Sequence, residues 1–258
     1  MPKEISIFKR IEKKYLLTLE QHKRFLELIG EQIIPDEHGK STIQSLYLDT
    51  PDFRLIRDSI DAKGYKESVY KEKLRLRSYG VPNDDSKVFL EIKKKFKGVV
   101  YKRRISMRMS QALHYFETGE APKDTQIMRE IDYAMHYYGQ PKPAALLCYE
   151  REAFYVKDMP NHRITFDTGV RYRDFSLDLR RGNAGEVIQP PNTVLMEIKT
   201  DGAMPLWLSA ALNECKIYPA TFSKYGTAYR LMYKRNREAG NTAFPFPVIG
   251  QATARLDG

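Results

Sequence analysis

The sequence predicts an α+β fold in which a closed antiparallel eight-stranded β-barrel carries flanking helices. Three observations support this: runs that alternate polar and apolar residues, turn-forming clusters between them, and helical spacing in the remaining segments. The strand runs are Ile5 to Leu17, Ser41 to Asp49, Tyr70 to Tyr79, Lys87 to Lys95, Val99 to Met107, Ala144 to Val156, His162 to Arg173 and Thr193 to Thr200. Helical patterns cover Leu19 to Ile34, Pro51 to Ile60, Ser110 to Thr118, Asp124 to Tyr138 and Leu206 to Ile217. Gly80-Val-Pro-Asn-Asp-Asp, Phe96-Lys-Gly98 and Asp158-Met-Pro-Asn161 favour tight turns, so neighbouring strands should form antiparallel hairpins. A meander built this way is expected to curl and close, because an open sheet leaves edges to protect. Residues 1–235 read as one domain, and 236–258, with Pro245 and Pro247, as a loosely ordered tail.

The chain has 258 residues, enough to bury a sizeable core, and 42% of them are hydrophobic. Lys and Arg number 43 against 33 acids, a net charge of +10, which calls for an anionic partner: nucleic acid, a membrane surface or a polyphosphorylated molecule. Cys148 and Cys215 lie in apolar surroundings and read as buried thiols in a reducing compartment. No leader pattern opens the chain and no run approaches ~18 apolar residues, so a cytoplasmic protein is expected.

The chemistry lies in rows of charge. Side chains at i, i+2 and i+4 of a strand share a face, so Lys73, Arg75 and Arg77 form a cationic row whose intervening Leu74 and Leu76 face the other way. One such strand would ordinarily turn its cations to water. The pattern recurs, however. Glu12 and Lys14, Glu91 and Lys93, and Glu197 and Lys199 are pairs two residues apart; Lys102 shares a face with Arg104, Tyr149 with Arg151, and Arg163 with Thr165 and Asp167. In a barrel of about eight strands these rows would meet in an interior wide enough for one small ligand. So many cations would be tolerated around a chain of phosphates, to which charge-assisted hydrogen bonds are strong. Of the carboxylates, Glu197 is the expected ligand of a divalent metal that bridges phosphate oxygens, whereas Glu12 and Glu91 are expected to pair with basic residues.

Glu12-Lys-Lys14-Tyr15, Ser45-Leu-Tyr-Leu-Asp49, Lys73-Leu-Arg-Leu-Arg77, Glu91-Ile-Lys93, Tyr149-Glu-Arg151, Arg163-Ile-Thr-Phe-Asp167, Glu197-Ile-Lys199 and Phe222-Ser-Lys-Tyr225, taken in order, resemble the polyphosphate-polymerase domain of vacuolar transporter chaperone (VTC) proteins, part of the triphosphate tunnel metalloenzyme (CYTH-like) superfamily. The resemblance spans about positions 7 to 235. It implies an ATP-dependent polymerase that transfers the γ-phosphate to a growing polyphosphate chain with Mn²⁺ or Mg²⁺. By matching motif it implies Arg75, Arg77, Lys93, Arg151 and Arg163 as catalytic, Lys14, Lys102 and Lys224 as phosphate-binding, and Glu197 as the metal ligand. Lys73, Arg104 and Lys199, on the same rows, join the phosphate-binding set. A separately encoded membrane partner, and a peripheral position at the inner face of a membrane, are further expectations.

Two other readings use the same residues differently. A metal-dependent tripolyphosphatase or nucleoside triphosphatase needs the same cations and metal. A non-catalytic nucleic-acid binder would stack bases on aromatics such as Tyr70, Tyr79 and Tyr149, but the glutamates in the rows would repel its backbone. No P-loop is present, and the histidines, His162 included, lack metal-ligand spacing.

Overall fold

The computed structural model describes residues 10–60, 70–96 and 99–245. The first residues of the Ile5 to Leu17 run, the turn residues 97–98 and the tail beyond 245 lie outside the described residues. The elements run β1 (Arg10–Thr18), α1 (Leu19–Ile29), β2 (Ile33–Asp49), α2 (Arg54–Ile60), β3 (Tyr70–Tyr79), β4 (Lys87–Phe96), β5 (Val99–Arg108), α3 (Met109–Thr118), α4 (Gln126–Tyr137), β6 (Lys142–Val156), β7 (Met159–Arg173), β8 (Glu186–Val187), β9 (Thr193–Asp201), α5 (Leu206–Glu214) and α6 (Lys224–Glu238).

The α+β class is as expected, but the closed eight-stranded barrel is not. A nine-stranded sheet runs β1-β9-β7-β6-β2-β3-β4-β5, with β8 beside β7, and among the described residues its ends, β1 and β5, do not pair. The ladders β1/β9, β7/β9, β3/β4 and β4/β5 are antiparallel. Each end strand has its own reason not to take a partner. The outer edge of β1 is occupied by an extended segment: Tyr15 bridges to Pro219, and the Ala220 amide donates to the Lys14 carbonyl at 2.7 Å. β5 carries consecutive cations, Lys102, Arg103 and Arg104, and charge along an edge discourages pairing.

The chain divides into two compact units. The first comprises Met1–Ile43, Cys148–Arg171 and Gly185–Ser223. Here Tyr15 and Leu17 of β1, Val194, Met196 and Ile198 of β9, and Ile164 and Phe166 of β7 bury one sheet face beneath Phe25 and Ile29 of α1 and Leu208 and Leu212 of α5. Burial of such side chains is worth about 1.5–3 kcal/mol each and sets the register, since a one-residue slip would exchange this face for the charged one. A capping box starts α1: the Gln21 amide donates to Thr18 Oγ1 at 3.1 Å and the Thr18 amide to Gln21 Oε1 at 3.0 Å. The helix stops at Ile29 and β2 begins at Ile33, earlier than the helical pattern through Ile34 suggested. Two tertiary ties explain this: Ile33 is buried in the core, and the Gln32 carbonyl accepts from the Lys157 amide at 2.8 Å.

The second unit comprises Gln44–Leu147, Tyr172–Ala184 and Lys224–Gly258. Leu74 and Leu76 of β3, Val88, Leu90 and Ile92 of β4, and Ile105 and Met107 of β5 are buried on one sheet face. Helices α3 and α4 pack on this part of the sheet with buried Met109, Ala112, Met128 and Ile131. Helix α6 was not anticipated, although buried Tyr225, Ala228, Tyr229 and Met232 stand at helical spacing; it packs on α2. Asn236 to Glu238, the first residues of the expected tail, are its last turn.

Candidate functional site

The alternation that buries the leucines turns the rows of charge to the opposite face, and each unit carries one such face. In the second unit the register sets Lys73 opposite Lys93, Arg75 opposite Glu91, Glu91 opposite Arg104 and Lys93 opposite Lys102. Glu91 is the only carboxylate among the charged side chains of this β3–β4–β5 face, which also holds Arg77. Its side chain is 2% exposed and pairs with Arg75 Nη2 at 2.7 Å, Lys102 Nζ at 2.8 Å and Arg104 Nε at 3.4 Å. Burial would raise its pKa, but Arg75, Arg77 and Lys102 outweigh that and bring it down to about 2. Burial in turn depresses Lys102 to about 8, helped by Arg75 and Arg77 and opposed by Glu91. Arg77 is buried and donates to Ser45 Oγ at 3.3 Å.

The same face includes Tyr47 of β2, which the sequence reading had not singled out. Its hydroxyl accepts from Arg75 Nη1 at 3.2 Å. Burial raises its pKa, yet Arg75, Lys73 and Arg77 dominate and bring it down to about 8. Its ring stacks on Tyr225 of α6 at 4.4 Å between centroids. Tyr225 donates to buried Asp49 at 2.8 Å, and Asp49 also accepts the amides of Thr50, Leu55 and Ile56. Lys224, at the start of α6, is buried one position before that anchor.

In the first unit Glu12 lies opposite Lys199, Lys14 opposite Glu197, Arg163 opposite Lys199 and Thr165 opposite Glu197. Carboxylates and cations are balanced here. Arg151 makes a bidentate pair with fully buried Asp167, at 2.6 and 2.7 Å. Burial opposes the charge on Arg151, but Tyr149, Asp167 and Glu197 hold its pKa well above the usual value. Arg163 pairs with Asp36, a partner that no short-range pattern in the sequence signals. Glu197 collects Lys14 Nζ at 3.5 Å, Arg151 Nη2 at 3.7 Å and Lys199 Nζ at 3.8 Å. Lys14 also lies 3.9 Å from Glu12 and donates to the Phe222 carbonyl at 3.1 Å.

The structure thus brings Lys73, Arg75, Arg77, Lys93, Lys102 and Arg104 onto one face, and Lys14, Arg151, Arg163, Glu197 and Lys199 onto another. Glu12 and Glu91 pair with basic residues as anticipated. Among the described residues no three His, Cys, Asp or Glu side chains converge as a cation cage. A small divalent ion does not need one when phosphate oxygens and water complete its shell, with one or two carboxylates from the protein. Glu197 fits that role, flanked by Glu12 and by Thr165, whose buried hydroxyl has no hydrogen-bond partner among the described residues.

The VTC domain matches residues 9–233, and the chain belongs to this family. Among solved structures, it is similar to a Bacillus halodurans protein provisionally assigned as an adenylate cyclase, at 14% identity over 83% of this chain and 95% of that one, with a TM-score of 0.49. A Vibrio parahaemolyticus protein with the same provisional assignment is 12% identical over 85% and 97%, TM-score 0.45. The Mimivirus capping enzyme triphosphatase is 12% identical over 80% and 88%, TM-score 0.36. No curated protein matches the chain.

Proposed function

We propose that this chain is an ATP-dependent polyphosphate polymerase of the triphosphate-tunnel class, with residues 1–235 as its catalytic domain. The observation that carries this reading is the imbalance on the β3–β4–β5 face, where Lys73, Arg75, Arg77, Lys93, Lys102 and Arg104 surround the single carboxylate Glu91. Such a face is electrostatically costly alone and is relieved by a chain of phosphates. Membership of the VTC domain family supports the same activity.

Phosphoryl transfer depends on positioning and charge neutralisation more than on a protein nucleophile. A terminal phosphate oxygen of the growing polymer bonds to the γ-phosphorus of ATP, the bond to the β-phosphate oxygen breaks, and ADP leaves. In this reading Arg75, Arg77 and Lys93 take up the charge that develops on the transferred group, with Arg151 and Arg163 as the further catalytic cations. Lys14, Lys73, Lys102, Arg104, Lys199 and Lys224 hold the remaining phosphates. Glu197, with Glu12 nearby, would hold Mg²⁺ or Mn²⁺, which supplies charge neutralisation at phosphate oxygens when bound. No described helix is long and apolar enough to cross a membrane; a peripheral place on the cytoplasmic side, beside a separate membrane protein, belongs to the proposal.

Purified protein incubated with ATP and Mn²⁺ or Mg²⁺ is expected to form acid-precipitable, polyphosphatase-sensitive polymer. Release of inorganic phosphate alone would transfer the assignment to a triphosphate hydrolase using the same cations. Absence of both products and of any tripolyphosphate binding would remove the triphosphate reading.

A further inference from the structure

Resting on that proposed reading, we infer that the phosphate face ends in a nucleobase-stacking subsite formed by Tyr79, Arg104 and Phe89, which makes a nucleoside triphosphate, not an inorganic one, its preferred ligand. On β3 the row Lys73, Arg75, Arg77 continues at the next same-face position with Tyr79, about 6.6 Å beyond Arg77 at 3.3 Å per residue. On β4 the row Lys93, Glu91 continues with Phe89, the register partner of Arg77. On both strands the row reaches an aromatic ring in the same direction along the sheet, and on β4 Lys87 follows, its ammonium 5.6 Å from the centre of the Phe89 ring. A nucleoside triphosphate has the same polarity, a polyanion at one end and a flat, stackable ring at the other, which tripolyphosphate lacks.

The aromatic end is an ordered platform. Tyr79 meets Phe89 edge to face, with centroids 5.8 Å apart and planes at 89°. The guanidinium carbon of Arg104 lies 3.4 Å from the centre of the Phe89 ring and 5.7 Å from that of Tyr79. The Arg104 side chain is held from behind by Glu91 at 3.4 Å yet remains 34% exposed, and Tyr79 is 45% exposed. Exposed rings and guanidinium planes beside a row of cations are the surfaces on which nucleic bases stack without hydrogen-bond readout, so little discrimination among bases is expected.

The test compares ATP, GTP and tripolyphosphate by titration calorimetry on wild-type protein, Tyr79→Leu and Tyr79→Trp. Tyr79 is exposed, and tripolyphosphate binding reports that each variant retains its phosphate face. For Tyr79→Leu the Kd for ATP and GTP should rise about fivefold or more, the loss of one stack, while that for tripolyphosphate changes less than about twofold; Tyr79→Trp should restore the nucleotides. Equal loss for all three ligands, or no loss for the nucleotides, would overturn the subsite and leave the phosphate face standing. Failure of wild-type protein to bind tripolyphosphate would overturn the phosphate reading and this inference with it.

Discussion

The two charged faces obey one rule of alternation and solve opposite electrostatic problems. On the β1–β9–β7–β6 face each buried charge has a counter-ion built into the fold: Arg151 with Asp167, Arg163 with Asp36, and Glu197 among Lys14, Arg151 and Lys199. On β3–β4–β5 one buried glutamate pairs with Arg75, Lys102 and Arg104, on a face where cations outnumber carboxylates. The difference separates a surface whose charges are internally balanced from one prepared to receive an anion. Loss of an arginine on the first face should therefore lower stability as well as activity, and on the second largely activity.

Arg77→Ala carries the largest expected effect. It should lower polymer formation by about 10³-fold, the scale of losing one donor to developing charge, with little loss of melting temperature; retained activity would remove this face from the site. Arg151→Met should instead destabilise the fold by about 3 kcal/mol, because Asp167 is left buried and uncompensated; chemical denaturation reads this directly. Glu91→Gln should cost a similar ~3 kcal/mol by releasing repulsion among its cations, and saturating tripolyphosphate should recover much of it, whereas the Arg151→Met loss should not be recovered.

The pH dependence of Glu91 has a definite sign. Its folded pKa, about 2, lies below the ordinary value of 4.5, so its contribution is complete above pH 4.5 and is lost as pH falls toward 2. Wild type and Glu91→Gln should therefore converge in stability over that window. Above neutrality, Lys102 and Tyr47 both titrate near 8, the first losing positive charge and the second gaining negative charge. Polyanion affinity measured at constant ionic strength should fall several-fold from pH 7 to pH 9. The smallest effect belongs to the first unit's surface: Lys40, 79% exposed and 2.7 Å from Glu152, should change stability by no more than about 0.5 kcal/mol on replacement by alanine.

Much of this was legible because it is local. The β3 boundaries, Tyr70 to Tyr79, and the shared face of Lys73, Arg75 and Arg77 follow from period-two alternation alone. The pairing of Glu91 followed from its place in an apolar run, where a charge requires partners. Barrel closure was misjudged because sheet ends are decided by distant segments: nothing near β1 announces that Pro219 and Ala220 will occupy its edge. Asp36 as the partner of Arg163 is hidden for the same reason, being 127 positions away. Tyr47 and helix α6 carry signals that are readable in the sequence. Tyr47 alternates with buried Leu46 and Leu48, which marks it as a polar-face residue, and Tyr225, Ala228, Tyr229 and Met232 carry a helical stripe.

The partly covered edge of β1 bears on how molecules of this protein meet one another. The hydrogen bond from Ala220 and the bridge to Pro219 cover the middle of that margin with the protein's own backbone, a cover that ionic strength affects little. The opposite margin, β5, relies on repulsion between like-charged lysines and arginines, a guard that dissolved salt weakens and a bound polymer of phosphate cancels. Self-association through strand addition should accordingly start at β5, grow with ionic strength, and be most pronounced in solutions rich in polyphosphate.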